Sequence, residues 1–167
     1  QSELAADAPV MVVHADHGES FGDHGNYGHH HRELYEENVH VPYLIANAGV
    51  DATVSEPTSL SSIPETALAL TTGEFDPTDG SDRPPITTSE CGTHRAVRGS
   101  RYKYIESDGD QLLFDLDADP TERENVADEV PQQVEQLRRR LRQRKQHNGE
   151  TIEIRRATNK LLTDNSL

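Results

Sequence analysis

Apolar positions fall into short clusters along this chain, and each cluster predicts one element. Pro9-Val-Met-Val-Val13 is uninterrupted, which predicts a short strand buried on both faces, as inside a parallel sheet. Val39 to Ala46 predicts a second strand, with Pro42 where no ladder donor is needed. Between them, the glycine-rich run from Asp16 to Gly28 is loop, and His30 to Asn38 predicts a short helix carrying Leu34 and Tyr35. From Ser62 to Thr72 the pattern turns helical: Ser62 and Glu65 are spaced as a capping box, Pro64 lies in the first turn and Gly73 ends it. Ile63, Ala67, Leu68 and Leu70 form its expected buried side.

Residues 74 to 85 are Asp, Gly, Pro, Ser and Thr rich and predict an exposed connection. Beyond it the period shortens to that of strands, at 94–98, 101–106 and 111–117, with Gly99-Ser100 and Asp108-Gly109 as tight turns. Asp119-Pro120 reads as a helix start, and Val130, Val134, Leu137 and Leu141 share one helical face that would cover the meander. Strand, loop, strand and helix followed by a meander predict an α/β fold. The expected units are an α/β part over 1–82, an antiparallel sheet with a packed helix over 83–147, and a peripheral tail over 148–167.

Composition changes this picture in one respect. Only 32% of the 167 residues are apolar, and 30 acids against 16 bases give a net charge of −14. That balance speaks against nucleic acid or an anionic membrane as a partner, and no apolar run reaches membrane-span length. The surplus of acids over lysines suits a protein kept hydrated in concentrated salt, which points to a halophilic, archaeal source. The charge is uneven: residues 1–128 hold 25 acids and 7 bases (−18), and residues 129–167 hold 5 acids and 9 bases (+4). The bases Arg138, Arg139, Arg140, Arg142, Arg144 and Lys145 lack interleaved aromatics, so they read as a solvated helix face pairing with the acidic body. The single Cys91 excludes an internal disulfide and reads as a buried small residue. Localisation signals are not observable; a cytoplasmic location is the default.

The candidate chemistry is concentrated in one place, because seven of the nine histidines lie between His14 and His40. Asp16 and His17 follow an apolar strand, where a carboxylate and an imidazole side by side reach one divalent cation and Gly18 lets the backbone turn away. The competing reading is that the two residues simply cap a loop.

The run ADHGESFGDHGNYGHHHRELYEENVHVPYLI, Ala15 to Ile45, resembles the sulfatase family of the alkaline phosphatase superfamily. Ser59 to Gly73, Arg95 to Ile105 and Leu113 to Val126 are similar to the helix, strand and hairpin that follow in that family. The resemblance implies the C-terminal part of an alkaline-phosphatase-like parallel-sheet domain, then a small antiparallel sheet with a packed C-terminal helix. It places Asp16 and His17 as metal ligands, calcium first, with manganese or zinc open. It places His29 as the catalytic, sulfate-contacting group, with His30 as the alternative substrate contact. His24 is expected to brace the loop, Glu36 and Glu37 to support it from behind, and His14 and His40 to be strand residues.

The family's nucleophile, formylglycine made from a Cys/Ser-x-Pro-x-Arg motif, has no counterpart in these residues, and Cys91 is followed by Gly-Thr-His. The expectation is therefore a metal-dependent sulfuric ester hydrolase present as a fragment, with the nucleophile upstream and a sulfate ester, free or on a sugar, as substrate. Phosphonate or phosphate ester hydrolases and phosphoglycerol transferases of the same superfamily are the close rivals. A non-catalytic metal-binding or interaction module, or a gene remnant, is the rival of another class. Apolar surface on a partial α/β layer is expected to favour self-association.

Overall fold

The computed structural model describes residues 8–30, 33–78, 85–88 and 94–143. Its element order is β1 (Met11–His14), β2 (Ser20–Phe21), β3 (Tyr27–Gly28), α1 (Glu36–Val39), β4 (Tyr43–Ala46), α2 (Ile63–Thr72), β5 (Ile86–Thr88), β6 (His94–Arg98), β7 (Tyr102–Ser107), β8 (Asp110–Asp115) and α3 over 131–143. The protein is a mixed α/β fold with small antiparallel sheets and a C-terminal helix.

The best-buried part is the sheet β5-β6-β7-β8 with α3 on one face. Val97, Tyr104 and Leu113 meet Val134, Leu137 and Leu141 there, as the helical stripe predicts. On the other face Ala96, Ile105, Phe114 and Leu116 meet Leu34 of the histidine segment. The β7 to β8 turn has Asp108 at φ 47° and Gly109 at φ 99°, the left-handed pair of a tight hairpin. Two expectations change here. A further strand, β5, pairs antiparallel with β6. Asp119 does not start a helix: its carboxylate accepts the Arg123 and Glu124 N–H groups at 2.5 and 2.8 Å, closing a turn, and the helix begins at Pro131. Of the basic face, Arg138 approaches Glu106 at 3.9 Å, whereas Arg144, Lys145 and Cys91 lie outside the described residues.

The N-terminal half is thinner. β1 pairs antiparallel with β4, Met11 opposite Ala46 and His14 opposite Tyr43, and no parallel pair occurs among the described residues. β1 is exposed rather than buried, with Met11 at 54% and Val13 at 45%, because β4 is its single described neighbour. α2 likewise has no buried residue, and Leu68 is 65% exposed. Its capping box does not form: Ser62 is itself helical, and its hydroxyl donates to the Ser59 carbonyl at 2.7 Å. Pro64 and the left-handed Gly73 do sit at the two ends as the sequence requires. The first helix is shorter than the expected 30–38, and the strand starts at Tyr43, so His40 caps α1 instead of lying in a strand. No helix among the described residues is long and apolar enough to cross a membrane.

Candidate metal and sulfate site

The site is built on a two-residue ladder. β2 and β3 pair Ser20 with Gly28 and Phe21 with Tyr27, so alternation sends Ser20 to one side and its neighbours to the other. Ser20 is fully buried, and its hydroxyl donates to Glu37 Oε1 at 3.3 Å. Glu19 and His29, the residues flanking the ladder, then face each other, with Glu19 Oε2 3.5 Å from His29 Nδ1. The His29 ring stacks on His17, centroids 3.9 Å apart. One donor atom each from His17, Glu19 and His29 lies within 4.8 Å of the others.

Asp16 stands beside this group, its Oδ2 3.8 Å from His17 Nε2, so the two predicted ligands do not diverge. Hydrogen bonds from its own backbone, the His17 charge and the His17 N–H hold the Asp16 carboxyl below the usual carboxylate range, favouring the ionised form that a cation needs. Two imidazoles and a carboxylate converging on one exposed spot, with a second carboxylate adjacent, fit a divalent ion of mixed nitrogen and oxygen preference. His30 is exposed; its carbonyl accepts the Glu33 N–H at 2.9 Å, and it does not join the group. Glu19 is the residue that sequence reasoning missed, and only the β2 to β3 pairing brings it opposite His29.

Behind the site, Gly18 carries the loop against α1. Its N–H donates to the Asn38 carbonyl at 2.9 Å, and a Cβ there would sit 2.0 Å from the Glu37 carbonyl oxygen. His24, in the left-handed region at φ 48°, lies between two acceptors. Its Nδ1 meets Glu37 Oε1 at 2.7 Å and its Nε2 meets the Glu122 carbonyl at 3.0 Å, while the ring stacks on Tyr35 at 3.7 Å. Glu36 points the other way. Its Oε1 accepts from Lys103 Nζ at 2.9 Å, and its Oε2 lies 3.4 Å from Arg98 Nε and 3.4 Å from His40 Nδ1. Lys103 and Glu122 are both fully buried side chains, 3.0 Å apart.

The two glutamates titrate in opposite senses. Burial pushes Glu36 up, but the charge and hydrogen bond of Lys103, with Arg98 and His40, outweigh it and leave the group lowered. Burial dominates at Glu122, which stays raised despite Lys103. A lowered acid stabilises the fold above its unfolded pKa, and that contribution is lost as pH falls through its folded value; a raised acid loses stability as pH rises through its own. On acidification Glu122 therefore takes its proton first, and the Glu36 contribution begins to erode below about pH 4.3 and is lost as pH falls through its folded value. In urea unfolding followed against pH, Glu36→Gln is expected to flatten the acid limb relative to wild type. An unchanged limb would mean that Glu36 carries no such linkage.

The model of the sulfatase family matches residues 3–73, the span that carries β1, the histidine loop, β4 and α2. Over that span the chain resembles the sulfatases. Arylsulfatase K of Mus musculus is 29% identical across 80% of this chain, and the Gallus gallus protein is 31% identical across the same share. Delta 4,5-hexuronate-2-O-sulfatase of Bacteroides thetaiotaomicron is 29% identical across 71%. This chain spans about 30% of the length of these sulfatases. A solved 2-O GAG sulfatase superposes with a TM-score of 0.66 at 21% identity, covering 86% of this chain and 37% of that one, which establishes a shared fold. A protein solved with its substrate D-glucosamine-2-N,6-O-disulfate superposes at 0.54, with 18% identity over 94% of this chain and 35% of that one.

Proposed function

We propose that this chain supplies the cation-binding and sulfate-facing part of a sulfuric ester hydrolase acting on a sulfated sugar. The observation that carries the reading is the convergence of His17, Glu19 and His29 beside Asp16, inside the segment matched by the sulfatase model. The sugar is supported by the names of the relatives, a hexuronate-2-O-sulfatase among them. Asp16 and His17 would hold the cation, with Glu19 within reach; calcium follows the family resemblance, and the imidazoles also suit manganese or zinc. When bound, such an ion polarises the sulfate oxygens and stabilises charge on them.

His29 is assigned the catalytic role, donating a hydrogen bond to the transferring group or to the leaving alcohol oxygen, with His30 one residue further along the same exposed strand end. The nucleophile, formylglycine, has to come from a Cys/Ser-x-Pro-x-Arg motif, which these 167 residues do not contain. The 167-residue chain is accordingly a fragment in function, and it is expected to release no sulfate from glucosamine sulfates or aryl sulfates. Sulfatase-rate turnover by this chain alone would overturn that assignment. A parallel assay on phosphate monoesters and diesters with the motif-bearing chain separates sulfate from phosphate chemistry.

Cation binding is tested directly on this chain by calorimetric titration with Mn2+. His17→Ala is expected to abolish measurable binding, and Glu19→Gln to weaken it by about ten- to a hundredfold, on the scale of losses at metal-site partners. Binding is also expected to fall with acidification, since imidazole ligates only when neutral. Equal isotherms for wild type and His17→Ala would remove the site.

A further inference from the structure

The residues that hold the histidine loop in place come from the opposite end of the chain. Lys103, on β7, and Glu122, in the turn after β8, are fully buried, and both reach into the loop's support. The Glu122 carboxylate accepts the Glu36 N–H at 2.5 Å through Oε2 and meets Lys103 Nζ through Oε1, while Lys103 also donates to Glu36. The Glu122 carbonyl takes the His24 ring, whose other nitrogen binds Glu37, and Glu37 accepts from Ser20 on the hidden side of the ladder that presents Glu19 and His29.

We propose that Lys103 and Glu122 are positioning residues for the cation site: acting through His24, Glu37 and Ser20, they fix the hairpin that carries Glu19 and His29. This rests on the reading of that loop as a cation and sulfate site. A purely structural purpose does not require ionised groups at this spot, since well-packed apolar side chains of similar volume do as well or better than buried ion pairs. What the set adds is directionality, because its contacts to Glu36 and His24 aim particular atoms at partners 67 or more residues away. Glu122 also holds φ at 54°, a left-handed turn that turns its carbonyl and its carboxylate toward the loop together. One His24 ring nitrogen meets a carboxylate oxygen and the other a backbone carbonyl, so the ring's 15N resonances report directly on this bridge.

The test compares wild type with Glu122→Gly, a change that tolerates the left-handed turn while removing the carboxylate. Histidine side-chain 15N spectra, amide exchange and Mn2+ titration are read on the 167-residue chain. Expected are intact protection of β6, β7 and β8, shifted His24 ring 15N resonances, amide exchange across 18–28 faster by about tenfold or more, and Mn2+ affinity lower by about ten- to a hundredfold. Leu137→Ala, under the far face of the sheet, is the control: it lowers overall stability but leaves the His24 pattern and the Mn2+ affinity as in wild type. If Glu122→Gly does not fold, the isosteric Glu122→Gln replaces it. A folded variant with unaltered His24 signals and loop exchange overturns the proposal, as does a Leu137→Ala protein that shows the same loop changes. If wild type binds no Mn2+, the site reading falls, while the ring and exchange data still decide whether the loop is held in this way.

Discussion

Lys103→Met is expected to lower unfolding stability by about 3–5 kcal/mol, the range for removing one partner of a buried ion pair. The ammonium is fully buried, with Glu36 2.9 Å and Glu122 3.0 Å away, so its loss leaves two carboxylates without the cation between them. Glu36 keeps Arg98 and His40, whereas Lys103 is the cation that approaches Glu122. The second substitution therefore decides the cause. Lys103→Met combined with Glu122→Gln is expected to be less destabilised than the sum of the two single changes, because the stranded charge is gone. Additive losses in urea unfolding would mean that Lys103 acts through its packed alkyl chain and not through charge.

Gly18→Ala carries the second large effect. The added methyl would stand 2.0 Å from the Glu37 carbonyl oxygen and 2.9 Å from its carbonyl carbon, both backbone atoms of the short helix that cannot swing aside. Either α1 or the loop has to shift, at about 3 kcal/mol, the upper end of typical overpacking costs. The site suffers more than the fold, since His17 precedes the glycine and Glu19 follows it. The expected result is a folded chain, by far-ultraviolet circular dichroism, whose Mn2+ isotherm has flattened. A variant that binds Mn2+ like wild type would show that the contact with α1 does not set the ligand positions.

The parts of this fold written in local patterns were legible. Gly99-Ser100 and Asp108-Gly109 mark the turns of the meander, and Val130, Val134, Leu137 and Leu141 mark the helix that covers it, because turn chemistry and helical period are properties of neighbouring residues. Asp119-Pro120 misled because an aspartate before proline serves a helix start and a tight turn equally well; which one forms depends on Glu122 being drawn inward. β5 escaped notice since Ile86-Thr-Thr88 is only three residues after two prolines. In the candidate site, Asp16 and His17 were legible as a carboxylate–imidazole pair at a strand end, whereas His29 entered only through the family resemblance. Glu19 was legible in neither way, as its facing of His29 is a fact of strand pairing, and nothing near Lys103 in the sequence announces a lysine with no access to water.

The bonds from Glu122 to His24 and from Lys103 to Glu36 span 98 and 67 residues. During synthesis the histidine loop is therefore made long before its supports exist. The hairpins of β6, β7 and β8 close over short chain separations and can form early, while the loop waits until residues beyond Glu122 have left the ribosome. On the proposed reading, the cation site can be set only once Glu122 has emerged, and a messenger truncated shortly after β8 would yield the loop without the carbonyl that holds His24.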